Sequence, residues 1–137
     1  MRAVGTERMK VGFCTGVFDG FHQGHQYFLR RCLDNCSHLV VAVNHDVWVT
    51  ATKGKDRPFY PLAKRIWSIQ AYLNGWDSVI PFNGDAEALC KIVQPDVVFL
   101  GYDQSANPLP FPVKVVGHLP GFSTTLLAQQ KKLGAWR

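Results

Sequence analysis

Long apolar runs are missing from this 137-residue chain. None approaches the roughly 20 residues that cross a bilayer, and residues 1–9 have no apolar centre of a secretion signal. The expectation is a cytoplasmic protein with no membrane partner. Metal-binding cysteine spacing is missing too. Cys14, Cys32, Cys36 and Cys90 include no C-x-x-C pair, and the turn-spaced Cys32 and Cys36 lack further ligands for zinc, so buried free thiols are expected and no metal held by the protein. No G-x-G-x-x-G follows the first apolar run, which disfavours a dinucleotide oxidoreductase. Basic residues are largely scattered, and Arg30-Arg31 and Lys131-Lys132 read as solvated helix faces rather than a nucleic-acid surface. Repeats, linkers and low-complexity segments are absent, so one domain is expected over 1–137, with residues 1–9 as a flexible N-terminal segment. What remains is 47% apolar and 18% charged, an ordinary globular balance, and the net charge of +5 permits a phosphorylated partner without identifying one.

Strand and helix alternate along the rest of the chain. A first strand is predicted over Lys10 to Thr15, and a helix from Gly24 to Asn35 turns Phe28, Leu29, Cys32 and Cys36 inward. The run from His38 to Asn44 has the continuous apolar character of a strand covered on both faces. Residues 45–60 show no clear period and are read as a long mobile loop. Pro61 opens a second helix, with a stripe of Leu62, Ile66, Ile69 and Leu73 ending at Gly75. Ser78 to Phe82, Asp96 to Leu100 and Val113 to Val116 read as three more strands, with a short helix from Asp85 to Val93. A last helix is expected from Gly121 to about Leu133. Five such strands with helical crossovers imply an α/β sandwich around a parallel sheet. Its ligand is expected outside the carboxyl ends of the strands, where the strand order reverses.

The densest chemistry lies at that rim, in Gly16-Val17-Phe18-Asp19-Gly20-Phe21-His22-Gln23-Gly24-His25. Glycines let backbone approach a ligand, a helix N-terminus presents free amides, and His22 and His25 add two imidazole donors. The competing reading is a pair of surface or capping histidines. Convergence of amides, a helix end and two imidazoles describes a phosphate site. With no acidic metal cage nearby, the phosphate is expected to arrive on a nucleotide.

The pattern G-x-F-D-x-x-H-x-G-H resembles the signature of the cytidylyltransferase-like nucleotidyltransferases. Gly121-Phe122-Ser123-Thr124-Thr125 is similar to their second signature, although Ser or Thr also caps helices generally. Lys53-Gly54-Lys55-Asp56-Arg57-Pro58-Phe59-Tyr60-Pro61-Leu62-Ala63-Lys64-Arg65 is similar to the adenylyltransferase domain of the heptose-phosphate branch, and glycerol-3-phosphate cytidylyltransferases are also alike. The resemblance implies a single-domain Rossmann-like α/β/α sandwich with a five-stranded parallel sheet, assembled as a homodimer. It implies transfer of a nucleotidyl group from an NTP, ATP ahead of CTP, to a phosphorylated sugar or polyol, with Mg²⁺ carried on the nucleotide phosphates.

By the same resemblance His22, His25 and Lys53 are the catalytic candidates. Gly16, Val17, Phe18, Gly24, Arg65, Gly101, Asp103, Ser123, Thr124 and Thr125 are expected at the nucleotide, and Asp19, Asp46 and Lys53 at the acceptor. Two departures are visible. Leu100, Tyr102 and Gln104 replace the Lys, Gly and Tyr of a heptose-type enzyme, and His118 stands where glycerol-phosphate types carry an Arg. Trp48, in the segment after the second strand, is a possible base platform. A non-catalytic nucleotide-binding homologue is the alternative from another class.

Overall fold

Proline at position 81 restricts where its strand can lie, because it removes a ladder donor and belongs at a sheet edge. A computed structural model, which describes residues 9–101 and 110–117, places that strand at an edge. The strands are β1 (Val11–Gly16), β2 (His38–Asn44), β3 (Ser78–Phe82), β4 (Val97–Gly101) and β5 (Val113–Val116). They form one parallel sheet in the order β3-β2-β1-β4-β5. The helices are α1 (Gln23–Leu33), α2 (Asp46–Lys53), α3 (Leu62–Tyr72) and α4 (Ala86–Val93). The expected last helix, together with Tyr102, Asp103, Gln104, His118 and Ser123 to Thr125, lies outside the described residues, as do residues 1–8.

Alternate residues of the strands face two separate cores. Cys14, Leu39, Val41, Val43, Val97 and Phe99 meet α1 and α3 through Phe28, Leu29, Cys32, Leu33, Ile69 and Leu73. Phe13, Val40, Ala42 and Val98 meet Cys90 of α4 on the other side. These two layers of helix make the sheet an α/β/α sandwich, as expected. All four cysteines are free and buried, and burial raises the Cys32 thiol pKa far above its ordinary range.

Residues 45–60 correct the sequence reading. They are not one mobile loop: Asp46 to Lys53 forms α2, with its acid in the first turn and its base in the last, each suited to the helix dipole. The helical period was blurred because Val47 is 81% exposed while Val49 is buried. Gly54 ends the helix with φ of 111°, a conformation that favours glycine. Trp48 packs on the turn after β3, where a Cβ added to Gly84 would lie 2.0 Å from the indole nitrogen. That contact gives Trp48 a packing role in place of the base platform considered from sequence.

Strand order reverses between β1, which leads to β2, and β4 on its other side. The β1–β4 register pairs Gly12 with Val97 and Phe13 with Val98. Carried to the carboxyl ends, that register sets Gly16 beside Gly101, so the reversal point is lined by bare backbone. Gly12 has a different task, since its missing side chain leaves room for the Phe99 ring. A Cβ there would sit 2.4 Å from Phe99 and 3.0 Å from Cys36 Sγ. Gly12→Ala is expected to cost about 1–3 kcal/mol through overpacking. Gly75→Ala, with nothing within 4 Å, should stay within about 0.5 kcal/mol of wild type. Urea unfolding midpoints of the two variants check both, and equal midpoints would contradict this account of the core.

Candidate active site

The turn that follows β1 is bent against its side chains. Phe18 and Phe21 have φ of 54° and 39°, in a region that bulky residues avoid at a cost of about 1–3 kcal/mol each. Phe18 is buried and folds back on Gly16, where an added Cβ would stand 2.8 Å from the ring. Gly16 is therefore required by the turn itself. Phe18 meets His25 edge-on at 5.5 Å, and Phe21 lies nearly parallel to it at 6.4 Å.

His22 and His25 cap α1 reciprocally. His22 Nδ1 accepts from the amides of Gly24 at 3.0 Å and His25 at 3.3 Å. His25 Nδ1 accepts from the His22 amide at 3.2 Å. This is a capping box built from imidazoles in place of Ser and Glu. The rings stack with centroids 3.7 Å apart. An Nδ1 that accepts an amide proton carries none of its own, so each neutral ring holds its proton on Nε2.

That geometry corrects one part of the sequence reading. The amides of Gly24 and His25 do not stand open to a phosphate, because His22 already takes them, and Gln26 N donates to His22 O. The backbone bonds engage Nδ1 of each ring, so the donor of each neutral ring is its Nε2–H. A chain of hydrogen bonds polarises its members, so the positive end of α1 is carried through the rings toward Nε2. Nε2 of His22 is shielded from bulk water, where such a bond is electrostatically stronger. Capping thus engages one nitrogen of each ring and fixes the direction of the other.

Arg65 is the residue whose position sequence reasoning mistook. Placed at the nucleotide by resemblance, it is only 1% exposed. Its Nε donates to Tyr60 O, and Nη1 donates to Val17 O and Asn44 O at 3.0 and 2.8 Å. Nη2 pairs with Asp46 Oδ1. These bonds go to the loop after β1, the end of β2 and the segment before α3, so Arg65 fixes the rim from beneath. The signal was present, since position 65 falls on the same helical face as Leu62, Ile66 and Ile69.

Asp19, expected at an acceptor, is also committed inside the protein. It is fully buried, and its oxygens accept from the amides of Phe59 at 2.7 Å and Tyr60 at 3.0 Å. The Tyr60 backbone is therefore held by Asp19 through its amide and by Arg65 through its carbonyl. Asp46 keeps a side chain that is 45% exposed beside Arg65 and stays open to solvent at the rim. Lys53 is not brought to the histidines by any described contact. It ends α2 as an exposed residue, on the order of 10 Å along the helix from Asp46 at 1.5 Å per residue. Gly101 is buried at the end of β4, and Val17 contributes its carbonyl to Arg65.

A profile of the cytidylyltransferase-like family matches residues 13–116, from β1 through β5. The chain belongs to that family. It is 37% identical over 110 residues to the bifunctional protein HldE of Halorhodospira halophila, covering 80% of this chain and 22% of that protein. HldE of Nitrosococcus oceani is 40% identical over 95 residues, covering 69% and 20%. This chain thus spans about a fifth of the length of those relatives. A solved lipopolysaccharide core biosynthesis protein from Thermoplasma volcanium GSS1 superposes with a TM-score of 0.65 at 30% identity, covering 82% of this chain and 98% of that one. The domain is of the nucleotidyltransferase type. No helix among the described residues is long and apolar enough to cross a membrane.

Arg65→Met should destabilise the domain by at least about 3 kcal/mol, because three inward carbonyls lose a charged donor. Urea unfolding measures this, and a loss below about 1 kcal/mol would show that the rim does not depend on Arg65.

Proposed function

We propose that this domain transfers a nucleotidyl group, AMP ahead of CMP, from an NTP to the phosphate of a sugar or polyol, releasing pyrophosphate. The observation that carries the reading is the stacked His22–His25 pair, whose two Nε2–H donors are fixed by backbone at the reversal point of the sheet. An acceptor phosphate oxygen forms a bond to the α-phosphorus while the bond to the β-phosphate oxygen breaks, and pyrophosphate leaves with that electron pair. Such an oxygen is already nucleophilic, so the site needs charge neutralisation and alignment more than a base. His22 and His25 donate to the α-phosphate. Ser123, Thr124 and Thr125 are assigned to the β- and γ-phosphates, and Asp103 with Gly101 to the pocket wall. Lys53 at the free end of α2 reaches the phosphates if that arm closes over them.

Mg²⁺ takes oxygen ligands and belongs on the nucleotide's own phosphates in this reading. The described residues gather no group of three or more His, Cys, Asp or Glu that could hold a metal. Similarity of the 53–65 segment to heptose-phosphate adenylyltransferases, together with the HldE relatives, supports ATP and a sugar phosphate. A cytoplasmic homodimer completes the proposal, supported by Trp67 and Trp76, which are 65% and 60% exposed.

A matrix of NTPs against sugar and polyol phosphates, scored for pyrophosphate, tests the reaction. Turnover is expected with one NTP and a phosphorylated polyol or sugar. Nucleotide binding with no turnover across the matrix would favour a binding module instead. His22→Asn separates chemistry from folding, because Asn is a preferred N-cap residue. It should unfold within a few degrees of wild type while turnover falls about 10²–10³-fold, the loss expected for one transition-state donor. His25→Ala should lose turnover on a similar scale, and near-normal rates in both variants would remove the mechanism.

A further inference from the structure

Arg57 has a guanidinium that is positioned without a hydrogen bond to any described residue. Its backbone is fixed at both ends, since its amide donates to Gly54 O at 3.1 Å and its carbonyl accepts from Thr50 Oγ1 at 2.7 Å. The side chain is 13% exposed and lies 4.8 Å over the Phe59 ring. Its Nε is buried with no hydrogen-bond partner among the described residues, and the Asp19 carboxylate approaches it only to 3.6 Å. A closed Arg–carboxylate pair stands at about 2.7–2.9 Å and is often bidentate. Here Asp19 accepts instead from the Phe59 and Tyr60 amides. The arrangement differs from that of Arg65, where every described donor has an acceptor.

A planar cation held by ring stacking, with five N–H donors and none in a described hydrogen bond, is matched to a tetrahedral oxyanion. Its neighbour Asp19 follows directly on the left-handed Phe18, within the turn that carries His22. Nε is out of solvent, so the accessible part of the side chain belongs to its other atoms. We propose that Arg57 is a phosphate-binding residue of this site, taking oxygens of a phosphoryl group through its outer donors. This rests on the nucleotidyl-transfer reading and deepens it by adding a fixed cation on the 54–60 segment. Two sources carry that chemistry, the polyphosphate of the nucleotide and the monoester of the acceptor.

Calorimetric titration of the full chain with ATP, inorganic pyrophosphate and glycerol 3-phosphate tests it, for wild type, Arg57→Gln, Arg57→Lys and His25→Ala. Arg57→Gln should weaken at least one probe by about 10-fold or more, as expected for a charged hydrogen bond of about 1.5–3 kcal/mol. Loss confined to ATP and pyrophosphate assigns Arg57 to the nucleotide, and loss confined to glycerol 3-phosphate assigns it to the acceptor. Arg57→Lys keeps a cation beside Asp19, so it should fold like wild type and bind between wild type and the Gln variant. Binding of every probe within twofold of wild type in both variants overturns the proposal. If His25→Ala still weakens ATP in that case, the functional reading survives without Arg57. A wild-type chain that binds none of the three probes overturns both.

Discussion

The guanidinium of Arg65 is the constraint on which the rim depends. A buried cation is costly unless its donors are satisfied, and here backbone carbonyls satisfy most of them. Val17, Asn44 and Tyr60 belong to three segments that share no ladder at these positions. Their carbonyls would otherwise point at one another's negative ends. A single planar fork removes that repulsion and sets the three segments in one arrangement. Asp46 supplies the counter-charge from the first turn of α2, so the start of that helix is tied to the same point. Asp19 then grips the Tyr60 amide from the opposite side. The turn with the histidines and the segment leading to α3 are thereby one unit.

On that base the histidines can be oriented without help from a second acid. A ligand-donating imidazole usually needs a group on its other nitrogen to fix the tautomer. Each of these rings uses the amides at the start of α1 for that purpose. The stacking of His22 on His25 and the near-parallel Phe21 limit ring rotation. The left-handed backbone at Phe18 and Phe21 is the conformational cost of bringing these rings together. It is tolerated because Phe18 is buried and Phe21 packs on Tyr72 at 5.6 Å.

Much of this could be read from sequence, for reasons that differ between elements. The His38–Asn44 and Val113–Val116 strands have the boundaries expected, the first as an apolar run between polar ends and the second as a valine-rich stretch set between Pro112 and Gly117. The α1 face of Phe28, Leu29 and Cys32 was equally clear from period. Helix α2 was not, because eight residues give barely two turns and an exposed Val47 masks the face. The histidine turn was legible as a motif, while its bonding was not. Sequence placed free amides at a ligand, whereas the fold had already paired them with His22. Arg65 and Asp19 read as ligand contacts because their types suit phosphates and hydroxyls. Only the path of the chain shows that carbonyls and amides reach them first.

The distribution of charge around the rim follows from these pairings. Arg65 and Asp46 compensate each other, and Asp19 is compensated mainly by two amides with Arg57 beside it. The rim is therefore a backbone framework whose internal charges are largely balanced. In the proposed reading, attraction comes from the imidazole Nε2–H donors, the outer donors of Arg57 and the exposed Lys53. Two phosphorylated substrates repel each other, and a site with an uncompensated acid at its centre would worsen that. Burying Asp19 against two amides and pairing Asp46 with Arg65 keeps acids that the fold needs from opposing the ligands it would hold. In the proposed reading, that balance leaves discrimination between similarly charged phosphorylated substrates to shape and hydrogen bonding at the rim.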